Sequence, residues 1–503
     1  MSTGNEPSVL AIGIDAAESS LVRQLIEQNE MPALKALLDG GQWLRVQSPA
    51  PIGSGAVWPT FMTGVEPATH GIYSEWSWQP GVMGLSRYHG RHLNPFWKGP
   101  AQQDLRIGTF DVPFAMPVGV SEGFEVCEWW AHDSTGTGLK AGPKEILCLV
   151  KSSPAHPLSA NRFVNTTPNS LSDLKALSAA CIEGVRLRGA LARTLIKQTR
   201  PRLSLIVFPE IHHASHQMWH TVDPHHRIYN GRKLKVVEPL LTDLYRAVDA
   251  QIKELIDSRG GWDAILIFAL HGMRPAFGFP AFLGPLLSER GFSRIANWSS
   301  QSWRDRALSL LAETKRHTPD TLKELYYKVT PTRATHKLAR PTMLPLYDWS
   351  NTRAFSLPTD QYGWIRINLV GREAKGSVPL NQYDDTCEQL KTFLLCLEDD
   401  NGQRLVRDVV LTASNAQHAG SNPLPDLVVH WEDAAFAWPL KIRDSKVQVE
   451  PVARKSTGQH ASEGFCIYSA TDNNFSSGVI EAKDLGRLIT RGLSTACQLN
   501  PTR

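Results

Sequence analysis

The densest metal-binding chemistry in the sequence lies in Glu210-Ile211-His212-His213-Ala214-Ser215-His216. His212 and His216 are four residues apart, so on a helical turn both imidazoles project from one face. Two imidazoles so placed suit a zinc ion. Glu210 is a candidate oxygen donor beside them, whereas His213, His225 and His226 read as solvent-exposed. Three more groups end or follow apolar runs. Asp15 closes Val9-Leu10-Ala11-Ile12-Gly13-Ile14, His271 follows Ala264 to Leu270, and His460 stands in Thr457-Gly458-Gln459-His460. A carboxylate at the end of a buried strand is costly unless a cation or hydrogen bonds compensate it, although an ordinary helix cap accounts for it about as well. Ser54, in Pro51-Ile52-Gly53-Ser54-Gly55-Ala56, precedes a helical stretch. There its hydroxyl is either a plain cap or faces unpaired N–H groups suited to an anion such as phosphate.

Strands that deliver these groups are legible as apolar runs at 8–15, 106–110, 203–208 and 264–270. Between them, helical spacing covers Leu21–Ile26, Leu34–Leu38, about 171–199 and 236–256. Strands alternating with helices imply an α/β fold with a mostly parallel sheet. In such a sheet, groups at the carboxyl ends of the strands converge on one crevice. Further strands are expected at 354–357, 364–369 and 426–431, with a helix at about 382–398. The stretch 293–345, with Trp298, Trp303 and Tyr326-Tyr327, breaks the rhythm and reads as a helical insertion or lid. The expected organisation is a core from 8 to 292, the insertion, and a second core part from 346 to 490 that returns His460. Asp111, Trp130, His132 and Asp133 lie in loops at the same sheet edge and are candidates for the substrate pocket.

A length of 503 residues with 42% hydrophobic and 20% charged residues fits a globular protein with a substantial core. A net charge of +4 without a basic stripe argues against nucleic acid as a structural partner. Seven scattered cysteines without a CxxC pair argue for reduced thiols. The polar start and the short apolar run after it provide neither a signal peptide nor a membrane span, so a cytoplasmic location and no membrane partner are expected. No pattern sets the oligomeric state.

The ordered set Asp15, Ser54, Thr63-Gly64, His70-Gly71-Ile72, His216, His271-Gly272-Met273 and Gly458-Gln459-His460 resembles the alkaline phosphatase superfamily. The nearer likeness is to its type I phosphodiesterase/nucleotide pyrophosphatase branch and the related phosphohydrolases and phosphomutases. The resemblance implies an α/β/α sandwich and a metal-dependent hydrolase acting on a small phosphate ester, mono- or diester. It places Ser54, nine residues before Thr63, at the nucleophile position. Asp15, His271 and Ser54 fall on ligands of one divalent ion, and His216 and His460 on ligands of the other. Two departures stand out: Leu270 occupies one position where the family has Asp, and His212 another. The set is therefore rich in imidazole, which favours zinc, with manganese as an alternative. His212, His216 and His460 are expected to hold one ion, and Asp15, His271 and Ser54 a weaker second. The implied chemistry is covalent, through a phosphoserine at Ser54 that water then hydrolyses. The rival readings are a phosphomutase or phosphoryl transferase on the same fold, and a metal-binding pseudoenzyme. Sulfatases need a Cys or Ser in a C/S-x-P-x-R context that this chain lacks.

Overall fold

In the strands Val9–Ile14 and Leu203–Phe208 every residue is buried, as expected where helices cover both faces of a parallel sheet. They stand side by side at the centre of a nine-stranded sheet. From one edge to the other the order is Val479–Glu481, Gln42–Gln47, Glu463–Ala470, Ala264–Ala269, Val9–Ile14, Leu203–Phe208, Ile107–Phe110, Gly123–Cys127 and Lys140–Gly142. All but Glu463–Ala470 and Lys140–Gly142 run in one direction. This computed structural model describes residues 7–88, 93–103, 105–132, 137–159, 170–223, 226, 239–276, 282–296, 344–358, 361–432, 440–449, 456–470 and 478–494.

The pleat sorts side chains into two cores. Leu10, Ile12 and Ile14 face one, with the helices Leu171–Thr199 and Leu240–Ile256. Val9 and Ala11 face the other, with Val57–Thr63 and Ala482–Ser494. The result is a three-layer α/β/α sandwich, as the sequence implied. The 29-residue helix begins where a capping box predicts, with the Ser170 side chain accepting from the Asp173 N–H and the Asp173 carboxylate from the Ser170 N–H.

A second, antiparallel sheet combines Ala354–Leu357, Gly363–Ile367, Leu427–Trp431 and Val406–Leu411, with its own apolar core and the helix Tyr383–Leu395. It is tied to the loop before Ser54. Trp364 Nε1 donates to the Ile52 carbonyl at 2.8 Å, and His430 Nε2 donates to the Pro51 carbonyl at 2.8 Å. The expected insertion lies outside the described residues apart from 293–296 and 344–345, and so do Trp298, Trp303, Tyr326 and Tyr327. No described helix is long and apolar enough to cross a membrane. The described cysteines are free thiols.

Candidate metal centre

Asp15 follows the strand Val9–Ile14 directly and is 1% exposed. Its N–H still bonds the Phe208 carbonyl at 3.0 Å, and the chain then turns away at Ala16, in the left-handed region with φ 56°. Glycine is needed two residues earlier. A Cβ on Gly13 would stand 2.8 Å from Trp58 Cη2, so its absence lets the Trp58 ring lie against the strand. From there Trp58 Nε1 donates to Asp15 Oδ1 at 2.9 Å.

The other Asp15 oxygen meets His212. The helix Glu210–Met218 starts just after the strand Leu203–Phe208 and brings His212 Nδ1 to 2.6 Å from Asp15 Oδ2. A turn later, His216 Nδ1 lies 2.9 Å from the Gly458 carbonyl. His271 Nδ1 lies 3.2 Å from the Gly272 carbonyl, and its Nε2 is 3.8 Å from Asp15 Oδ1. His460 arrives on the short strand Gly458–His460, which pairs with Met273–Pro275; its N–H is held by Gln361 Oε1 at 2.9 Å. Asp15, His212, His216, His271 and His460, far apart in sequence, are thus assembled in one place.

These partners fix which nitrogens carry protons. A carbonyl only accepts, and so does an ionised carboxylate, so Nδ1 of His212, His216 and His271 each bear a hydrogen. Their Nε2 atoms therefore offer lone pairs in the neutral rings. His212 Nε2 lies 3.1 Å from His216 Nε2 and 2.7 Å from His460 Nε2. Two nitrogen lone pairs facing each other at 3.1 Å repel, and a cation between them would relieve the repulsion. Two imidazole nitrogens on one tetrahedral zinc ion stand roughly 3.3 Å apart, so the donor set fits such an ion. Burial first, and then the crowding of neighbouring imidazoles, pushes His212 and His460 well below the usual histidine range. Neutral rings are the form that binds metal.

The sequence readings fare unevenly at their edges. Glu210 is bonded to Arg188 instead of the imidazoles: Arg188 Nε donates to Glu210 Oε1 at 2.8 Å. Asp111, read as lining a substrate pocket, is fully buried on the same guanidinium. It accepts from Arg188 Nη1 at 2.7 Å and from the N–H groups of Trp129 and Trp130 at 2.8 and 2.7 Å. The Trp130 ring stacks on His156 at 3.9 Å. His132 is different: half-buried, its ring lies over His212 with centroids 3.7 Å apart, at the rim of the centre. Asp133 lies outside the described residues, as does His225. His213 and His226, read as exposed, are buried at 5% and 2% exposure. A strand-end helix with a polar face inward looks the same in sequence as one with that face outward.

Ser54 opens a single 3-10 turn that runs into the helix Val57–Thr63, and it is half-buried. Trp58, the contact to Asp15, lies one turn further along that helix. The surrounding motif proves to be scaffolding for the helix. Gly64 and Gly71 end helices in the left-handed region, at φ 68° and 74°. Thr63 Oγ1 donates to the Pro59 carbonyl at 2.7 Å. His70 Nδ1 accepts from the Ile72 N–H at 3.1 Å while its Nε2 bonds Thr60 Oγ1 at 2.9 Å. Gly53 is also forced, since a Cβ there would lie 2.4 Å from the Tyr73 carbonyl and 2.9 Å from the Trp364 ring. Trp364, Gln361 and His430, which brace the Ser54 loop and His460 from the second sheet, were missed in the sequence, where nothing marks them among other strand residues.

Residues 9–438 match the family model for type I phosphodiesterase/nucleotide pyrophosphatase. The chain belongs to this family. It is accordingly a phosphoric ester hydrolase of the phosphodiesterase/nucleotide pyrophosphatase type, in the alkaline phosphatase superfamily. No curated protein matches the chain by sequence. Its fold is similar to that of phosphonoacetate hydrolase from Sinorhizobium meliloti 1021 bound to phosphonoformate, at TM-score 0.52 and 13% identity, covering 97% of this chain and 96% of that one. A complex of the same enzyme with phosphonoacetate gives TM-score 0.51 at 13% identity, with the same coverage. An inactive variant of murine ectonucleotide pyrophosphatase/phosphodiesterase 5 in complex with AMP gives TM-score 0.45 at 11% identity, covering 97% of this chain and 95% of that one.

Proposed function

We propose that this phosphodiesterase-family chain hydrolyses a small phosphate ester at a zinc-type centre held by His212, His216 and His460, with Ser54 as nucleophile. The observation that carries the reading is the approach of His212 Nε2 to His216 Nε2 at 3.1 Å and to His460 Nε2 at 2.7 Å, with His212 and His460 buried and His216 half-buried. Such an ion, when bound, polarises a phosphoryl oxygen and lowers the pKa of a hydroxyl or water next to it. Ser54 Oγ forms a bond to phosphorus as the bond to the leaving oxygen breaks, and its proton passes to the leaving alcohol. Water then attacks phosphorus, the Ser54–phosphorus bond breaks, and the serine recovers its proton. His132, over the face of His212, lines the mouth through which the ester enters. The ester reaching this mouth is a free small molecule, as neighbours of similar fold bind phosphonoformate and phosphonoacetate.

The test combines a panel of chromogenic phosphate mono- and diesters, supplied with Zn²⁺ or Mn²⁺, and mass spectrometry of protein quenched during turnover. Ser54→Ala should abolish turnover and the phosphoserine peptide while keeping the fold, since loss of a helix-start hydroxyl costs only about 1 kcal/mol. Turnover that persists in Ser54→Ala would sink the assignment of the nucleophile. Phosphate that leaves the serine only for an added alcohol would make the chain a transferase instead.

A further inference from the structure

We infer that Gln361 is a substrate-binding residue, its side-chain Nε2 donating to a non-bridging oxygen of the phosphoryl group. The inference rests on the phosphate-ester reading above and adds to it a residue from the second sheet.

His460 presents its backbone as well as its ring. In the pairing of Gly458–His460 with Met273–Pro275, the Ala461 N–H bonds the Gly272 carbonyl at 2.9 Å. His460, opposite Met273, is therefore a non-hydrogen-bonded position whose N–H and carbonyl face away from the partner strand. Side chains answer both. Arg274 Nε donates to the His460 carbonyl at 3.3 Å, and Gln361 Oε1 accepts from the His460 N–H at 2.9 Å. A backbone N–H only donates, so the Gln361 atom that faces it is the oxygen. That bond fixes the orientation of the carboxamide and leaves its nitrogen turned away from the His460 N–H.

The nitrogen is the anomaly. Gln361 is 6% exposed, and among the described residues its Nε2 has no hydrogen-bond partner. A buried amide nitrogen with its hydrogens unanswered is costly, and such groups are nearly always paired. The surroundings of Gln361 say what could answer it. Trp364 holds the Ile52 carbonyl, and Tyr362 packs at 5.0 Å on His430, which holds the Pro51 carbonyl. The segment 361–364 thus spans from His460 to the loop that leads into Ser54. A phosphorus atom attacked by Ser54 beside His460 has its non-bridging oxygens in that span. They are charged acceptors, and they meet a donor already oriented, with the Arg274 guanidinium bringing positive charge to the same edge of His460.

Two variants separate the two ends of the carboxamide. Gln361→Glu keeps an oxygen for the His460 N–H and loses the donor, whereas Gln361→Met loses both without adding charge. Zinc-loaded wild type and variants are titrated with inorganic phosphate by calorimetry, and kcat and KM are measured on a chromogenic phosphate ester. Both variants should bind phosphate about 10- to 100-fold more weakly, the range for one hydrogen bond to a charged group, with KM rising in step. Gln361→Glu should keep the zinc content and melting temperature of the wild type. A residue that only props His460 would leave phosphate affinity unchanged in Gln361→Glu, and that result overturns the inference. Unchanged affinity in Gln361→Met overturns it too, since the loss in Gln361→Glu would then be charge repulsion. A direct readout in the wild type keeps the test independent of how the variants fold. The Gln361 side-chain amide signals in heteronuclear NMR, identified by their absence from Gln361→Glu or Gln361→Met, should shift as phosphate is added; signals that stay in place would refute the contact. Phosphate bound through Gln361 without ester turnover leaves this inference standing and defeats the hydrolytic reading. Turnover with a phosphate affinity indifferent to both variants does the reverse, and a wild type that binds no phosphate overturns the inference.

Discussion

Two buried polar clusters share the helix Glu210–Met218, and they are built on opposite principles. At the first residue of the helix, Glu210 joins Arg188 and Asp111, all three with fully buried side chains. One guanidinium spans two carboxylates, its Nη2 donates to the Trp130 carbonyl at 3.0 Å, and Asp111 takes two backbone N–H groups, while Glu210 Oε2 is left buried without a hydrogen-bond partner. Burial pushes the Asp111 carboxyl up against the pull of Arg188. Burial acts the same way on Glu210, yet Arg188 and His156 together hold its carboxyl below the usual range. One turn along, His212 Nε2 faces His216 Nε2 at 3.1 Å and His460 Nε2 at 2.7 Å. Where the protein answers its own buried charge, the cluster is structure. Where imidazole nitrogens crowd together instead, the cluster is one that could hold a metal ion.

The largest expected effect breaks the second cluster. His212 is the ring common to both imidazole triads, His132–His212–His216 and His212–His271–His460. His212→Ala should lose tight ion binding and reduce ester turnover by more than about 100-fold, the upper range for losing a mere outer partner. Metal content and turnover of the purified variant check this. Undiminished metal in His212→Ala would mean that the two clusters do not differ as described.

Next comes the first cluster. Arg188→Met leaves Asp111 and Glu210 buried without their counter-ion and should cost about 3–5 kcal/mol of stability in denaturant unfolding. Metal bound per folded chain should hold at the wild-type value. The sharper form is the triple variant Asp111→Asn, Arg188→Met, Glu210→Gln. Removing a whole buried ion network is often neutral or better, so the triple variant should regain most of the loss. A triple variant no more stable than Arg188→Met would show that the network does more than balance charge.

How far the sequence reveals this division depends on range. The strands at 9–14, 203–208 and 264–269 are legible because both faces are buried and the runs are unbroken. The residues at their ends are legible too, since polarity at the end of such a run needs a reason. Glu463–Ala470 escaped notice, though it runs antiparallel beside Ala264–Ala269 within the sheet. Its Glu463-Gly464-Phe465-Cys466-Ile467-Tyr468 mixes small and polar residues in no clear period. Direction of projection is also beyond sequence. Glu210 lies two residues before His212, about 200° around the helix, and that rotation sends its carboxylate to Arg188 and not to the imidazole cluster. Arg188 sits mid-helix, where an arginine is usually solvated, and only its burial at 0% exposure identifies it. The bracing of Ser54 and His460 by Trp364, His430 and Gln361 spans more than 300 residues in the first two cases and 99 in the third. No local pattern reports a contact of that reach.

The smallest effect lies where the clusters touch. His156 is 1% exposed, stacks on Trp130, and accepts the Leu158 N–H on Nδ1 at 3.1 Å. Its Nε2 is 3.5 Å from Glu210 Oε1. Gly184 makes room for the ring, since a Cβ there would overlap Nε2 at 1.9 Å. Burial lowers the pKa of His156; Glu210 and Asp111 oppose the shift and Arg188 adds to it. A folded-state pKa below the unfolded value of about 6.5 means that the unfolded chain takes up the proton first as pH falls. The contribution of His156 is thus complete above about pH 6.5 and drains away as pH drops from there toward the folded value. One proton sets a slope of at most about 1.4 kcal/mol per pH unit. His156→Gln has no titrating ring, so between pH 6.5 and 5 the metal-free variant should lose stability less steeply than the metal-free wild type. The histidines of the metal cluster titrate alike in both proteins and cancel in the comparison. Parallel curves over that range would show that His156 is protonated as readily in the fold as out of it, and that the Arg188 network does not keep this ring neutral.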